Sequence, residues 1–142
     1  MIIPVTEDGQ IIIALQEQPN KLPFMGTIGG RVNDEEDILE AAKREFLEET
    51  GYESNDWMLF SSVQPVSKIE WAIYTFIAKG LNKVAEMKLD AGEKIILKPV
   101  SFDEFMEIAI SKNFEEKEIV SKIYEAKLYP EKKEELRKLF KP

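Results

Sequence analysis

Apolar, largely β-branched residues fill positions 2–5 and 10–15, and Glu7-Asp8-Gly9 divides them. The pattern predicts two strands joined by a tight Asp-Gly turn. Residues 17–26 contain Pro19, Pro23 and Gly26 and read as a loop. Thr27-Ile28 is a short extended piece ahead of Gly29-Gly30. Over residues 34–50 the apolar positions take helical spacing. Asn33 with Glu36 three positions later makes a capping-box pattern, and Gly51 is placed to end the helix. Residues 57–64 and 69–79 are rich in aromatic and β-branched side chains and predict strands, with Pro65 between them. On the second, Ile69, Trp71 and Ile73 share one face, and Ala72, Tyr74 and Phe76 the other. Phe24, Trp57 and Trp71 are the aromatics that could stack a base, and core packing is the leading expectation for each. A short strand follows at 94–98, then helices at 102–110, 115–128 and 131–140, the last after Pro130.

Strands, a helix, strands and then helices suggest an α/β (α+β) chain, a mixed sheet with helices packed on it in an α/β/α sandwich. The 142 residues contain no repeat, low-complexity stretch or linker, so one domain over 1–142 is expected. No apolar run approaches the length of a bilayer span. Met1-Ile2-Ile3-Pro4 lacks a basic flank and does not read as a signal peptide, so a cytoplasmic address is the default expectation.

Composition narrows the chemistry. The chain has no cysteine and no histidine. That excludes a disulfide framework, a thiolate nucleophile, a Ser-His-Asp triad and imidazole or thiolate metal ligands. A metal here must sit among oxygens, which favours Mg, Mn or Ca, and a general base must be a carboxylate, a lysine or a tyrosine. The formal charge of -8 disfavours nonspecific nucleic-acid binding.

The charge is concentrated. Between Asp34 and Glu53 nine acids face two bases, so -7 of the -8 lies in twenty residues. At about 100° per residue, Ile38, Leu39, Ala42 and Phe46 form the buried stripe of the helix. Glu45, Glu48 and Glu49 fall within a further arc of about 100° that overlaps this stripe, whereas Lys43 and Glu40 lie away from it. Three carboxylates at a partly buried rim repel one another, and a bound divalent cation is the economical remedy.

The stretch from Gly30 to Tyr52 resembles the Nudix box. The pattern runs Gly, five residues, Glu, seven residues, Arg-Glu, an apolar residue, any residue, Glu-Glu, any residue, Gly and an apolar residue. Gly30, Glu36, Arg44, Glu45, Glu48, Glu49 and Gly51 supply all seven fixed letters. A coincidental match is on the order of 10⁻⁸ per starting position, so chance is set aside. The resemblance implies a Nudix-like fold and an enzyme that hydrolyses a nucleoside diphosphate linked to another group with Mg²⁺ or Mn²⁺. It implies Glu45, Glu48, Glu49 and the Gly29 carbonyl as metal ligands. It implies that Arg44 orients a neighbouring glutamate, and that Glu36 supports Arg44 or a water at the metal. The base in such enzymes is a box glutamate or a glutamate on a later loop. Asp90-Ala-Gly-Glu93 precedes a predicted strand much as that later loop does, which makes Glu93 its counterpart; an ordinary turn residue is the competing reading.

The box leaves the leaving group open. Pro65 lies 14 residues after Gly51, which is similar to the proline at about 15 to 16 residues in ADP-ribose-type members. An ADP-ribose or nucleotide-sugar pyrophosphatase is therefore the leading expectation. Those relatives usually carry an additional N-terminal sheet that builds a dimer, whereas the first residues here read as the first core strand; a homodimer stays open. The alternatives are a MutT-like hydrolase of (oxidised) nucleoside triphosphates and a non-catalytic nucleotide-sensing module. The expected partner is a small-molecule nucleotide, without nucleic acid or membrane. An EF-hand-like calcium module is not supported by the spacing.

Overall fold

A computed structural model describes residues 1–142. Six strands and four helices follow one another along the chain: β1 (Ile2–Pro4), β2 (Ile11–Glu17), β3 (Phe24–Gly26), α1 (Ile38–Thr50), β4 (Tyr52–Val63), β5 (Ile73–Lys83), β6 (Lys94–Val100), α2 (Phe102–Ala109), α3 (Val120–Leu128) and α4 (Pro130–Leu139). A short 3₁₀ turn at Lys117–Ile119 leads into α3. The strands form two three-stranded sheets, ordered β1-β5-β4 and β3-β2-β6. The first is mixed: β1 runs parallel to β5, and β4 antiparallel to it.

Side-chain alternation along the strands divides the core in two. Ile3, Val5 and Ile77 face a cluster with Ile11, Ile13 and the C-terminal helices, filled by Phe102, Phe105, Phe114 and Phe140. Ile2, Phe76 and Ala78 face the other way, onto Ala42 and Phe46 of α1. Helices thus cover both faces of the strand layers, giving the sandwich expected from the element order.

Several local expectations are corrected. The turn at Thr6–Gln10 forms, with the Thr6 amide donating to the Gln10 carbonyl at 2.9 Å. Yet β1 and β2 share only the isolated bridge Val5–Ile11 and belong to different sheets. Within the expected loop 17–26, Phe24–Gly26 is a strand paired with β2, because main-chain bonding to a neighbour needs no particular side chain. The helix begins at Ile38 rather than 34. Asn33 and Glu36 do bond, but they close a separate turn in which Glu35 has φ of 63°, and Asp37 caps the helix with its side chain. β4 starts at Tyr52, and residues 69–72 lie in the loop before β5.

Candidate functional site

Phe46 anchors the box helix. It is buried, and Trp57 of β4 packs edge-on between it and Phe76, with ring centroids 5.8 and 6.2 Å away. Truncating such a residue to alanine costs about 3–5 kcal/mol, so α1 is rigidly placed. At its C-terminal end Gly51 adopts φ of 71°, the left-handed conformation that ends helices. The Lys88 amide donates to the Glu48 carbonyl at 2.7 Å, and Lys83 Nζ to the Thr50 carbonyl at 2.8 Å.

On this helix Glu45, Glu48 and Glu49 are all half-buried, on the rim that the helical geometry assigns them, while Glu40 and Lys43 are exposed. Arg44 holds two of the three. Its Nη1 donates to Glu45 Oε1 at 2.8 Å and to Glu48 Oε2 at 3.2 Å. Its Nε and Nη2 grip Glu36 at 2.9 and 3.1 Å, and Nη2 also reaches the Arg31 carbonyl at 3.0 Å. These bonds hold the Glu36 carboxyl down at about 2 and raise the Arg44 guanidinium further above its ordinary range.

Glu49 turns the other way. Its Oε2 accepts the Gly29 amide hydrogen at 3.0 Å. Burial pushes its carboxyl up to about 7; the Gly29 bond opposes this, and the charges of Glu45 and Glu93 add to it. Glu93 is therefore near enough for its charge to act on Glu49. It sits at the end of a turn, with its amide donating to the Asp90 carbonyl at 3.0 Å, immediately before β6.

As the side chains stand, no three carboxylates are arranged to hold a metal ion, because Arg44 and Gly29 engage them separately. The donor set nevertheless fits a hard divalent cation. Glu45, Glu48 and Glu49 each keep one oxygen without a hydrogen bond from the chain, and the Gly29 carbonyl accepts none. A Cβ at Gly30 would collide with the Glu45 carboxylate, so only glycine leaves that group its place beside the loop. All of these donors are oxygens, as Mg²⁺ and Mn²⁺ prefer.

A cavity of about 580 Å³ opens beside Glu45, between the Gly30–Val32 segment with α1 on one side and β5 with the loop before it on the other. Arg31 and Glu116 escaped the sequence reading, and Trp71 stands elsewhere than its leading expectation. Arg31 occupies a variable place in the box, lines the cavity and makes no ion pair. Trp71, expected in the core, is half-exposed on the cavity wall. Glu116, ahead of the 3₁₀ turn, is half-buried with its carboxylate against Gly26, and the buried Oε2 has no hydrogen-bond partner. An arginine between box glycine and box glutamate was a readable signal; the exposure of Trp71 and the covering of the Glu116 carboxylate required the tertiary structure.

The family model of the NUDIX domain matches residues 1–123. No curated protein matches the chain in sequence. Among solved structures, an ADP compounds hydrolase is similar with a TM-score of 0.72 at 22% identity, over 87% of this chain and 67% of that one. MutT of Aliivibrio salmonicida and Vibrio cholerae is similar with a TM-score of 0.63 at 16% identity, over 86% of this chain and 93% of that one. The NUDIX domain of Shewanella oneidensis NrtR, determined in complex with ADP ribose, is similar with a TM-score of 0.54 at 16% identity, over 75% of each chain. These likenesses are of fold. With the family model spanning most of its length and every fixed letter of the box in place, the chain belongs to the NUDIX family, whose enzymes hydrolyse phosphoric anhydrides.

Proposed function

We propose that the chain is a metal-dependent hydrolase that cleaves the diphosphate bridge of ADP-ribose or a nucleotide sugar. The observation that carries this is the rim of Glu45, Glu48 and Glu49, each with an oxygen to spare, beside the Gly29 carbonyl and opening on a cavity. The substrate class rests on Pro65, which follows β4 and opens the loop that brings Glu70 and Trp71 to the cavity wall. Two solved proteins of the same fold, an ADP compounds hydrolase and the NrtR NUDIX domain in complex with ADP ribose, agree with this class.

Glu45, Glu48, Glu49 and the Gly29 carbonyl would hold Mg²⁺ or Mn²⁺, which neutralises charge on the diphosphate and makes bound water acidic. The chain's own residues do the rest. Arg44 fixes the rotamers of Glu45 and Glu48, and Glu36 fixes Arg44. The Gly29 amide fixes Glu49. At this carboxylate-rich rim the attacking water gives its proton to a carboxylate, and Glu93, whose charge acts on Glu49, is the candidate. Water attack breaks one phosphorus–oxygen bond of the bridge and leaves two monophosphates.

The test is a hydrolysis panel of ADP-ribose, sugar nucleotides, dinucleoside polyphosphates and (oxidised) nucleoside triphosphates, each with Mg²⁺ and with Mn²⁺. Two monophosphate products from ADP-ribose or a sugar nucleotide are expected. Pyrophosphate released from triphosphates alone would replace this reading with the MutT-like one. Binding without any turnover would replace it with a nucleotide sensor.

A further inference from the structure

The two tryptophans of this chain are used differently. Trp57 is satisfied on every side: its ring packs against Phe46 and Phe76, and its Nε1 donates to the Ser54 carbonyl at 3.0 Å. Trp71 is 52% exposed, stacks on no aromatic or cationic neighbour, and its Nε1 donates to nothing in the chain. It nevertheless lines the same cavity as Glu45. The backbone beneath it is pinned. Its amide donates to the Ile69 carbonyl at 2.9 Å, the Ile69 amide to Val66 at 3.3 Å, and Gln64 Nε2 also binds the Ile69 carbonyl at 3.1 Å. A large apolar ring held at the edge of an apolar cavity, with one free donor, is chemistry suited to a flat ligand.

The rest of the wall agrees. Ile38, Ala41 and Ala42 of α1 and Ile73 and Phe76 of β5 give it an apolar lining. Its charged side chains are Arg31, Glu45 and Glu70, and Arg31 is the cationic one; the Met1 ammonium, also on the lining, is held by the Tyr74 carbonyl at 2.8 Å. Resting on the reading of Glu45 and its neighbours as the hydrolytic site, we propose that this cavity receives the nucleoside half of the substrate. The base stacks on the Trp71 indole, and Glu70 accepts a hydrogen bond from the base's amino group. Arg31 supplies positive charge for the phosphate next to the ribose. A carboxylate only accepts, so Glu70 favours bases with an amino group. It disfavours uracil, whose single ring N–H is flanked by two carbonyls.

Nucleoside monophosphate binding tests this without turnover. In the intact protein, AMP should quench tryptophan fluorescence and bind at least about tenfold tighter than ribose 5-phosphate, the size of one base–aromatic stack. UMP should bind more weakly than AMP. In Trp71→Phe the quench should vanish, since Trp57 does not line the cavity and its ring is covered by Phe46 and Phe76. In Trp71→Ala the AMP affinity should fall about tenfold or more. Glu70→Gln, which can donate as well as accept, should narrow the AMP-to-UMP preference. Equal affinity for AMP and ribose 5-phosphate, or a quench that persists in Trp71→Phe, overturns the assignment. The hydrolysis panel is a separate outcome: AMP binding at Trp71 in a protein that hydrolyses nothing would sustain the subsite and defeat the hydrolase reading. Turnover of ADP-ribose with KM unmoved by Trp71→Ala would do the reverse.

Discussion

Arg44 and Glu36 meet as a two-point fork, Nε on Oε1 at 2.9 Å and Nη2 on Oε2 at 3.1 Å. The fork joins the turn before α1 to the helix and leaves Nη1 aimed at Glu45 and Glu48. A lysine keeps the charge but cannot reproduce the planar pair of bonds. Arg44→Lys should lower kcat about ten- to a hundredfold, as losses around metal ligands do, with KM little changed. Glu36→Gln keeps one acceptor and should lose less. Steady-state kinetics on the substrate found by the panel decides it: wild-type kcat in Arg44→Lys would remove the fork from the mechanism.

Glu48→Gln and Glu49→Gln should each lower kcat by several orders of magnitude with the fold intact. For Glu49 the stability sign is also fixed. Its carboxyl is raised to about 7 by burial, so the folded state holds its proton more tightly than the unfolded chain. The stability this gives is full in acid and lost as pH rises through about 7. Glu49→Gln should therefore melt higher than wild type at pH 8 when free of metal. Mg²⁺ should raise the melting temperature of wild type more than that of the variant. An identical Mg²⁺ response in both would sink the metal assignment.

Glu116 offers the same physics outside the candidate ligands. Its carboxyl lies 2.7 Å from where a Cβ on Gly26 would stand, and burial raises it to about 7. Oε2 has no partner. Raised in the folded state, this group also destabilises the protein as pH climbs from the ordinary carboxylate range through 7, by at most about 3 kcal/mol. Glu116→Gln should flatten part of that decline. Thermal melts from pH 5 to 8 check it: parallel curves for wild type and variant would show that the buried carboxylate does not titrate there.

The box helix was legible because its information is local. The spacing of Glu45, Glu48 and Glu49 against Ile38, Ala42 and Phe46 fixes their rim position whatever surrounds the helix, and Gly51 ends it as expected. The misreadings arose where long-range partners decide. β3 exists because β2 offers main-chain bonds to Phe24–Gly26, which Pro23 and Gly26 conceal in the sequence. Trp71 was placed in a strand by apolar alternation, but pairing between β4 and β5 reaches only Val63 and Ile73, leaving the tryptophan in the loop. Glu116 sits in a Glu- and Lys-rich stretch that looks like a solvated face, and only the tertiary approach of its carboxylate to Gly26 covers it. The family was readable from the box, whereas the cavity beside it is lined from segments that only the fold brings together.

Glu93 is the sharpest remaining choice, between a base and a turn residue. Its backbone closes the turn through the Asp90 carbonyl, which a substitution of the side chain leaves in place. Its charge acts on Glu49, raising that carboxyl. Glu93→Gln keeps the shape and removes the charge, so two effects are expected together. As a general base, its loss should lower kcat by about 10²–10⁴ and erase the acid limb of the pH–rate profile. As a neighbour, its loss should let Glu49 ionise at lower pH, shifting the midpoint of Mg²⁺-dependent stabilisation downward. The second effect without the first would make Glu93 an electrostatic neighbour only and return the base to the box glutamates. Neither effect would leave it an ordinary turn residue.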